Sequence, residues 1–421
     1  MHDARALGPE AAVRLARRGH TLDLPALAEL MRTRAELTDR TQKLRGEANR
    51  LAKEGRTGGA AVRARAKEVK EQIHEVETRQ KEVQRELTDF LMVVPNLPAD
   101  DAPDGKSEED AVEIRRVGEP RDYPFEPRHH ADIGETTGIL DLRRAAKLSG
   151  ARFAVTRGAG AALERALAAF FLDLHAREHG YTEYSVPTLV TRETMTGTGQ
   201  LPKFEDDLFT TAVGGRELFL IPTAEVPLTN LHATETLDEA ALPLAMTART
   251  QCFRAEAGSY GRDTRGILRM HEFTKVELVR IVPEENSRAE LDLMLTHAEE
   301  CLKRLDLAYR VVALAAGDLG FSARFTYDIE VWLSGQNRYR EISSCSDTGT
   351  FQARRAGIRL RARDGAKTFP ATLNGSGLPI GRTLLALLEQ HQTPDGGVDI
   401  PEALVPYTGF HHIAPDGSSV R

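Results

Sequence analysis

Leu30, Leu37, Leu44 and Leu51 recur every seven residues, and Val62, Ala66, Val69, Ile73, Val76, Gln80, Val83, Leu87 and Phe90 alternate steps of four and three. Both spacings are coiled-coil seams, so two helices are predicted. Between them Gly55-Arg56-Thr57-Gly58-Gly59 cannot continue a helix cheaply and supplies the positive φ a reversal needs. The pattern predicts an antiparallel helical hairpin with helices of about 28–32 residues and a length of about 40–50 Å. Its first helix has a weak second seam, with Leu27 followed by Arg34, Thr41 and Ala48. Pro95, Pro98 and Pro103 end the second helix and open an acidic, turn-rich linker. The expected division is residues 1–110 for the arm domain with its linker and 111–421 for a second domain.

Beyond about Ala151 the pattern is mixed. An amphipathic helix, ALERALAAFFLDLHAREHG, precedes YTEYSVPTLV, and strand-like runs follow in LFLIPT, TARTQCFR, KVELVRIV, RVVALAA and FTYDIEVWL. Further helices are expected at about Ser287–Leu305 and Thr383–Gln390. Strands in succession without regular helical crossovers predict an α+β domain: a central antiparallel sheet flanked by helices. Neither GxxxxGK[ST] nor a GxGxxG after a strand occurs, so any bound nucleotide must be held by arginines.

Charge alters this picture locally. The 421 residues carry 56 Lys and Arg against 63 Asp and Glu, a net of −7, which alone argues against a basic nucleic-acid binder. Residues 1–90, however, sum to +4 and the rest to −11, and +7 is concentrated within Arg40–Lys70. A solvated helix face or a dimerisation coiled coil would account for some of this. Neither explains why the basic excess sits at one end of the hairpin. The hairpin residues that could meet RNA phosphates are Arg45, Arg50, Lys53, Arg56, Arg63, Arg65, Lys67 and Lys70. No apolar run approaches the roughly 18 residues of a membrane span, and the first thirty residues lack a signal-peptide pattern, so a cytoplasmic protein is expected. Cys252, Cys301 and Cys345 form no CxxC pair, and no structural zinc is expected.

Candidate chemistry is densest in CFRAEAGSYGRDTRGILRMHEFTKVELV, Cys252–Val279. Arg254 ends a strand-like run, where a guanidinium can grip a phosphate or carboxylate through two hydrogen bonds. Glu256, two residues on, is expected on the same side of that strand, ready to accept from an amine. FRxE by itself also fits a surface hairpin with scattered ion pairs. The full string is more specific. Together with VPNLPADDAPDGKSEED, the TAE of IPTAEVPLTN, YREISSC, FQARR and LNGSGLPIGRTLLALLEQHQ, in this order and spacing, it resembles bacterial seryl-tRNA synthetases, class II aminoacyl-tRNA synthetases, over essentially the whole chain.

That resemblance implies a coiled-coil arm that binds serine tRNA, a class II catalytic domain and a homodimer joined through approximately Ala162–Pro187. It also implies seryl-adenylate formation from L-serine and ATP with Mg2+, then esterification of serine tRNA and, as an open question, of selenocysteine tRNA. Arg254 would contact the α-phosphate and the serine carboxylate, and Arg382 the γ-phosphate. The ATP site would comprise Arg254, Ala255, Glu256, Met270, Glu341, Ile342, Ser343, Ser344 and Arg382, with Glu341 and Ser344 holding magnesium. Thr223, Ala224, Glu225, Glu277 and Ser376 would bind serine, with Glu277 and Ser376 near its hydroxyl.

The chain departs from the family pattern at Ala255, Tyr260, Ala315, Ala316, Asp347, Pro370, Ala371 and Pro379. None of these removes an assigned polar group. They raise the hypothesis of a specialised, inhibitor-tolerant second copy, against simple drift. Two other classes remain for comparison: an amino-acid activating enzyme that loads a carrier protein, and a coiled-coil scaffold with a degenerate catalytic body. The basic hairpin disfavours the first, and the joint presence of Arg254, Glu256, Glu341 and Arg382 disfavours the second.

Overall fold

The computed structural model describes residues 2–54, 59–258, 261, 263 and 265–421; the expected turn residues Gly55, Arg56, Thr57 and Gly58, together with Tyr260 and Arg262, lie outside the described residues. Two compact units meet between Leu97 and Pro98.

In the first unit a short helix α1 (Pro9–Ala16) precedes two long ones, α2 (Leu24–Glu54) and α3 (Ala60–Met92). Of the heptad positions, Leu27 and Leu44 from α2 and Val69, Val76, Val83 and Leu87 from α3 are buried; at the end of α3 Leu91 is buried and the expected Phe90 only half-buried. Packing separates into two apolar clusters. One, at the foot, joins Leu7, Leu15, Leu22 and Leu27 to Leu87 and Leu91; the other joins Leu37, Leu44 and Leu51 to Val69, Ile73 and Val76. Polar groups interrupt the seam: Gln80 Nε2 donates to Thr38 Oγ1 at 3.2 Å, and Thr41 is buried with its hydroxyl donated to the Leu37 carbonyl. This is where the heptad reading found the first helix weakest.

The second unit is built on an eight-stranded sheet. Its strands, in chain order, are β1 (Val112–Val117), β2 (Thr182–Glu183), β3 (Leu244–Phe253), β4 (Glu272–Val282), β5 (Tyr309–Ala313), β6 (Phe325–Leu333), β7 (Arg338–Asp347) and β8 (Ala371–Pro379). Their order across the sheet is β1-β5-β6-β7-β8-β4-β3-β2. Every neighbouring pair is antiparallel except the two-residue edge strand β2, which lies parallel to β3. Helices α4 (Ala159–Asp173), α5 (Ser287–Arg304) and α6 (Ile380–Gln390) share the main core with the sheet. The helix expected from Ala162 starts at Ala159 and changes to a π-helix over Leu174–Glu178, ending two residues short of the expected Gly180. Leu384, Leu385, Ala386, Leu387 and Leu388 are all fully buried, so α6 is enclosed on every side and holds a fixed place against the strands. The proline-rich stretch after residue 97 packs into this unit: Pro103 and Gly105 carbonyls accept from Ala316 and Gly317 at 2.8 and 3.0 Å, and Ala102 is buried in the core.

Candidate active site

Strands β3 and β4 pair without interruption from Leu244 opposite Ile281 to Phe253 opposite Glu272. Arg254 therefore emerges where the strand stops, its amide donating to the His271 carbonyl at 3.0 Å. The guanidinium lies over the Phe273 ring, 5.2 Å from its centroid, with Nε 3.4 Å from the Pro222 carbonyl. Glu256 does not follow strand alternation as expected, because the strand has ended. It adopts a left-handed backbone with φ 53°, and this turn, not a strand repeat, brings its carboxylate into the cavity. There Glu256 Oε2 meets Arg269 Nη1 at 3.2 Å and Arg152 Nη1 at 4.0 Å. Ala255 is fixed through its backbone, its amide donating to the Asp207 carbonyl at 2.9 Å.

An open cavity of about 490 Å³ is lined by Thr223, Glu225, Arg254, Glu256, Glu277 and Ser376, among others. Lys275 and Glu277, two apart on β4, share a face and form an ion pair although both are buried. Ser376 on β8 stands directly opposite Glu277. Glu225 Oε1 accepts from Gln352 Nε2 at 2.6 Å and from Asn374 Nδ2 at 3.0 Å. Its backbone amide donates to Thr223 Oγ1 at 3.2 Å, while Ala224 is wholly enclosed. Burial, followed by the neighbouring Glu277 charge, pushes the Glu225 carboxyl up to about 7. Burial also raises Glu277, against the opposing pull of the Lys275 ammonium.

At the other end, Arg382 in the first turn of α6 places Nη1 2.9 Å from Glu341 Oε1 and 3.0 Å from the Glu341 carbonyl. This guanidinium holds the Glu341 carboxyl below its ordinary range, despite some desolvation. Glu341 and Ser344 are three residues apart and would face opposite sides of a regular strand. The register shows how they come together: Ile329 pairs with Ser343 but Glu330 pairs with Glu341, so Ile342 is an extra residue in a β-bulge. Glu341 and Ser344 thus line the same two cavities, of about 490 and 830 Å³. Asp328, opposite Ser344, lines the larger one, and its Oδ1 is buried without a hydrogen-bond partner among the described residues. Ser343 points elsewhere, donating from Oγ to the Ser376 carbonyl at 2.9 Å. Ile342 and Met270 line a small adjoining recess together with Phe273 and Arg382.

Glu341, Ser344 and Asp328 make an oxygen-only donor set that suits a hard divalent cation such as Mg2+. Arginines along one wall, carboxylates at one end and a small polar recess at the other can together hold a polyphosphate beside an amino acid. Lys275, Asp328, Gln352 and Asn374 escaped the sequence reading. Lys275, two residues from Glu277, was open to the period-two rule; Asp328 and Asn374 reach the cavities only through strand register, and Gln352 acts from behind, through its hydrogen bond to Glu225.

In the first unit, Arg45 is paired with Glu77 and Arg65 with Glu47, each at 2.8 Å, and Lys67 lies 3.9 Å from Glu71. Arg50, Lys53, Arg63 and Lys70 make no ion pair among the described residues, and Arg56 lies outside them.

Comparison with known proteins matches two family models, the seryl-tRNA synthetase N-terminal domain over residues 10–98 and the tRNA synthetase class II core domain (G, H, P, S and T) over 209–391. The chain is 61% identical over 426 residues to serine–tRNA ligase 2 of Streptomyces avermitilis, with 100% of each chain covered. It is 53% identical over 402 residues to the serine–tRNA ligase of Nitratidesulfovibrio vulgaris, covering 94% of each. Among solved structures, the seryl-tRNA synthetase of Pyrococcus horikoshii complexed with ATP superposes with a TM-score of 0.92 at 34% identity, over 99% of this chain and 100% of that one.

Proposed function

The chain belongs to the seryl-tRNA synthetases, with a class II catalytic core, and from that premise we propose how its residues share the work of a serine–tRNA ligase. The enzyme activates serine with ATP and joins it to serine tRNA; nothing in its relatives supports a carrier-protein acceptor.

Arg254 bridges the α-phosphate and the serine carboxylate, which sets the carboxylate oxygen in line with phosphorus. Its placement at the junction of the serine recess and the phosphate wall is the observation that carries this reading. Glu256, oriented by Arg269 and Arg152, accepts from the adenine amine, while Met270 and Ile342 flank the nucleotide. Arg382 holds the γ-phosphate and thereby orients pyrophosphate as the leaving group. Glu341 and Ser344, with Asp328 beside them, would hold magnesium, which would supply positive charge to offset that of the phosphates. The hydroxyl of serine meets Glu277 and Ser376, and its ammonium meets Glu225 and Thr223. Ala255, Ser343 and Ala224 serve through backbone and shape. Neither step needs a protein nucleophile; positioning and charge stabilisation suffice.

The unit ending at Leu97 is the tRNA-binding arm and the rest is the catalytic domain. A homodimer through the Ala162–Pro187 region and a cytoplasmic setting complete the proposal; no described helix is long and apolar enough to cross a membrane. The numeral in the name of the Streptomyces relative favours the second-copy hypothesis, since it marks that protein as one of more than one. Pyrophosphate exchange with a panel of amino acids, followed by charging of serine tRNA, tests the assignment. Serine-dependent exchange lost in R254A supports it, and exchange unchanged in R254A overturns the role of Arg254.

A further inference from the structure

Two carboxylates, Glu225 and Glu277, enter the serine recess from different elements, and they are not balanced alike. Glu225 is held by two neutral amides, from Gln352 and Asn374. Glu277, 1% exposed, is instead in contact with the ammonium of Lys275, itself 7% exposed. A lysine so buried is uncommon unless paired. Here the charge of Lys275 acts first on Glu277, with which it is in contact, and more weakly on Glu225. Lys275 also lines the cavity next to Ser376 and Arg254.

We propose that Lys275 is a positioning residue for amino-acid specificity: it keeps Glu277 ionised and aimed, so that the recess offers the substrate side chain a hydrogen-bond acceptor with no proton of its own. An ionised carboxylate only accepts hydrogen bonds, whereas a protonated one also donates. Against the acceptor, the hydroxyl of serine donates and satisfies the buried oxygen. Alanine, lacking that hydroxyl, leaves a desolvated charge uncompensated, and this asymmetry produces strong rejection. Without Lys275 the buried Glu277 takes up a proton, because a lone charge there is costly. Its new O–H can then turn to another acceptor in the recess, and the recess tolerates alanine. Position supports the assignment: residues 275 and 277 share a strand face, so strand geometry alone keeps the ammonium beside the carboxylate.

The proposal rests on the reading that Glu277 faces the serine hydroxyl, and the test separates the two. Pyrophosphate exchange is measured with serine and with alanine in the full-length enzyme and in K275M, K275R, E277Q and K275M/E277Q. Lys275 acting as proposed lowers the serine-to-alanine ratio of kcat/KM at least tenfold in K275M, leaves the KM for ATP unchanged, and restores much of the ratio in K275R. A parental ratio in K275M overturns the proposal; if E277Q nevertheless loses its ratio, the assignment of Glu277 stands and Lys275 alone is excluded. A parental ratio in E277Q overturns the assignment of Glu277 and the proposal with it. Should K275M not fold, the double variant, which leaves no buried charge unpaired, decides. Its ratio should stay close to that of E277Q, since the contact between Lys275 and the Glu277 carboxylate is then already gone, and a further tenfold drop overturns the proposal.

Discussion

Gln352 donates to Glu225 Oε1 at 2.6 Å, tying the helix Phe351–Ala356 to a carboxylate that has no basic side chain among its hydrogen-bond partners. A neutral donor stabilises the ionised form less than a cation would, so burial and the charge of Glu277 dominate and the Glu225 carboxyl titrates at about 7.

The ammonium of serine would supply the missing positive charge, so serine binding should release a proton. Below pH 7 the KM for serine should rise about tenfold per pH unit while the KM for ATP stays flat. Calorimetry of serine binding in two buffers of different ionisation enthalpy checks the proton count. The sign for stability is opposite. Because the folded-state value of about 7 lies above the ordinary 4.5, the serine-free enzyme binds more protons folded than unfolded. Its stability therefore falls as pH rises from about 4.5 towards 7, and stabilisation by serine should be larger at pH 8 than at pH 6.

Arg382 meets both the backbone and the carboxylate of Glu341 from a helix that is locked in the core. R382A should lower the exchange rate by about 10²–10³, the scale seen when a preorganised charge is lost. R382K should not restore it, because an ammonium cannot reproduce the two-nitrogen fork. Steady-state exchange with circular dichroism as the folding control measures both.

Gly266 has φ 81°, and a Cβ there would lie 2.0 Å from His130 Nε2. That ring is fully committed: Nδ1 is 2.7 Å from Glu389 Oε1, which identifies it as the protonated nitrogen, and Nε2 accepts from the Ile267 amide at 3.2 Å. G266A should displace Leu268 and Arg269, raising the KM for ATP at least tenfold while that for serine changes little. Equal effects on both substrates would count against a local cause.

Arg45 and Arg65 are paired with carboxylates on the facing helix, whereas Arg50, Lys53, Arg63 and Lys70 have no ion pair among the described residues. Reversing the charge of the latter four should abolish most tRNA charging with exchange intact and reduce the salt dependence of tRNA binding by about one per lost phosphate contact. R45E and R65E should do less. Filter binding across a salt series distinguishes the groups.

Much of this was legible from residue order. The heptads located both arm helices because a seam is a local repeat, and Phe325–Leu333 was read to the residue from its β-branched and aromatic run. The edge strand at Thr182–Glu183 is two residues long, too short for any period to show its direction. Glu256 was expected on a strand because its left-handed turn carries no glycine to announce it. Asp328 and Asn374 looked like ordinary strand residues; what makes them part of the cavity is which residue the neighbouring strand sets opposite, and pairing across dozens of residues leaves no mark in the local pattern.

The bulge at Ile342 uncouples residue count from facing along this strand. Delete that one residue and Glu330 would still stand opposite Glu341 and Ile329 opposite Ser343, with Glu341 and Ser344 now two apart in an even ladder and on one face. The extra position is therefore a spare: it lets the strand carry one more side chain, that of Ile342 in the neighbouring recess, without turning the carboxylate or the hydroxyl away from their shared cavity. A variant that omits Ile342 should keep the cation-site pair on one face and act through the recess that this side chain lines.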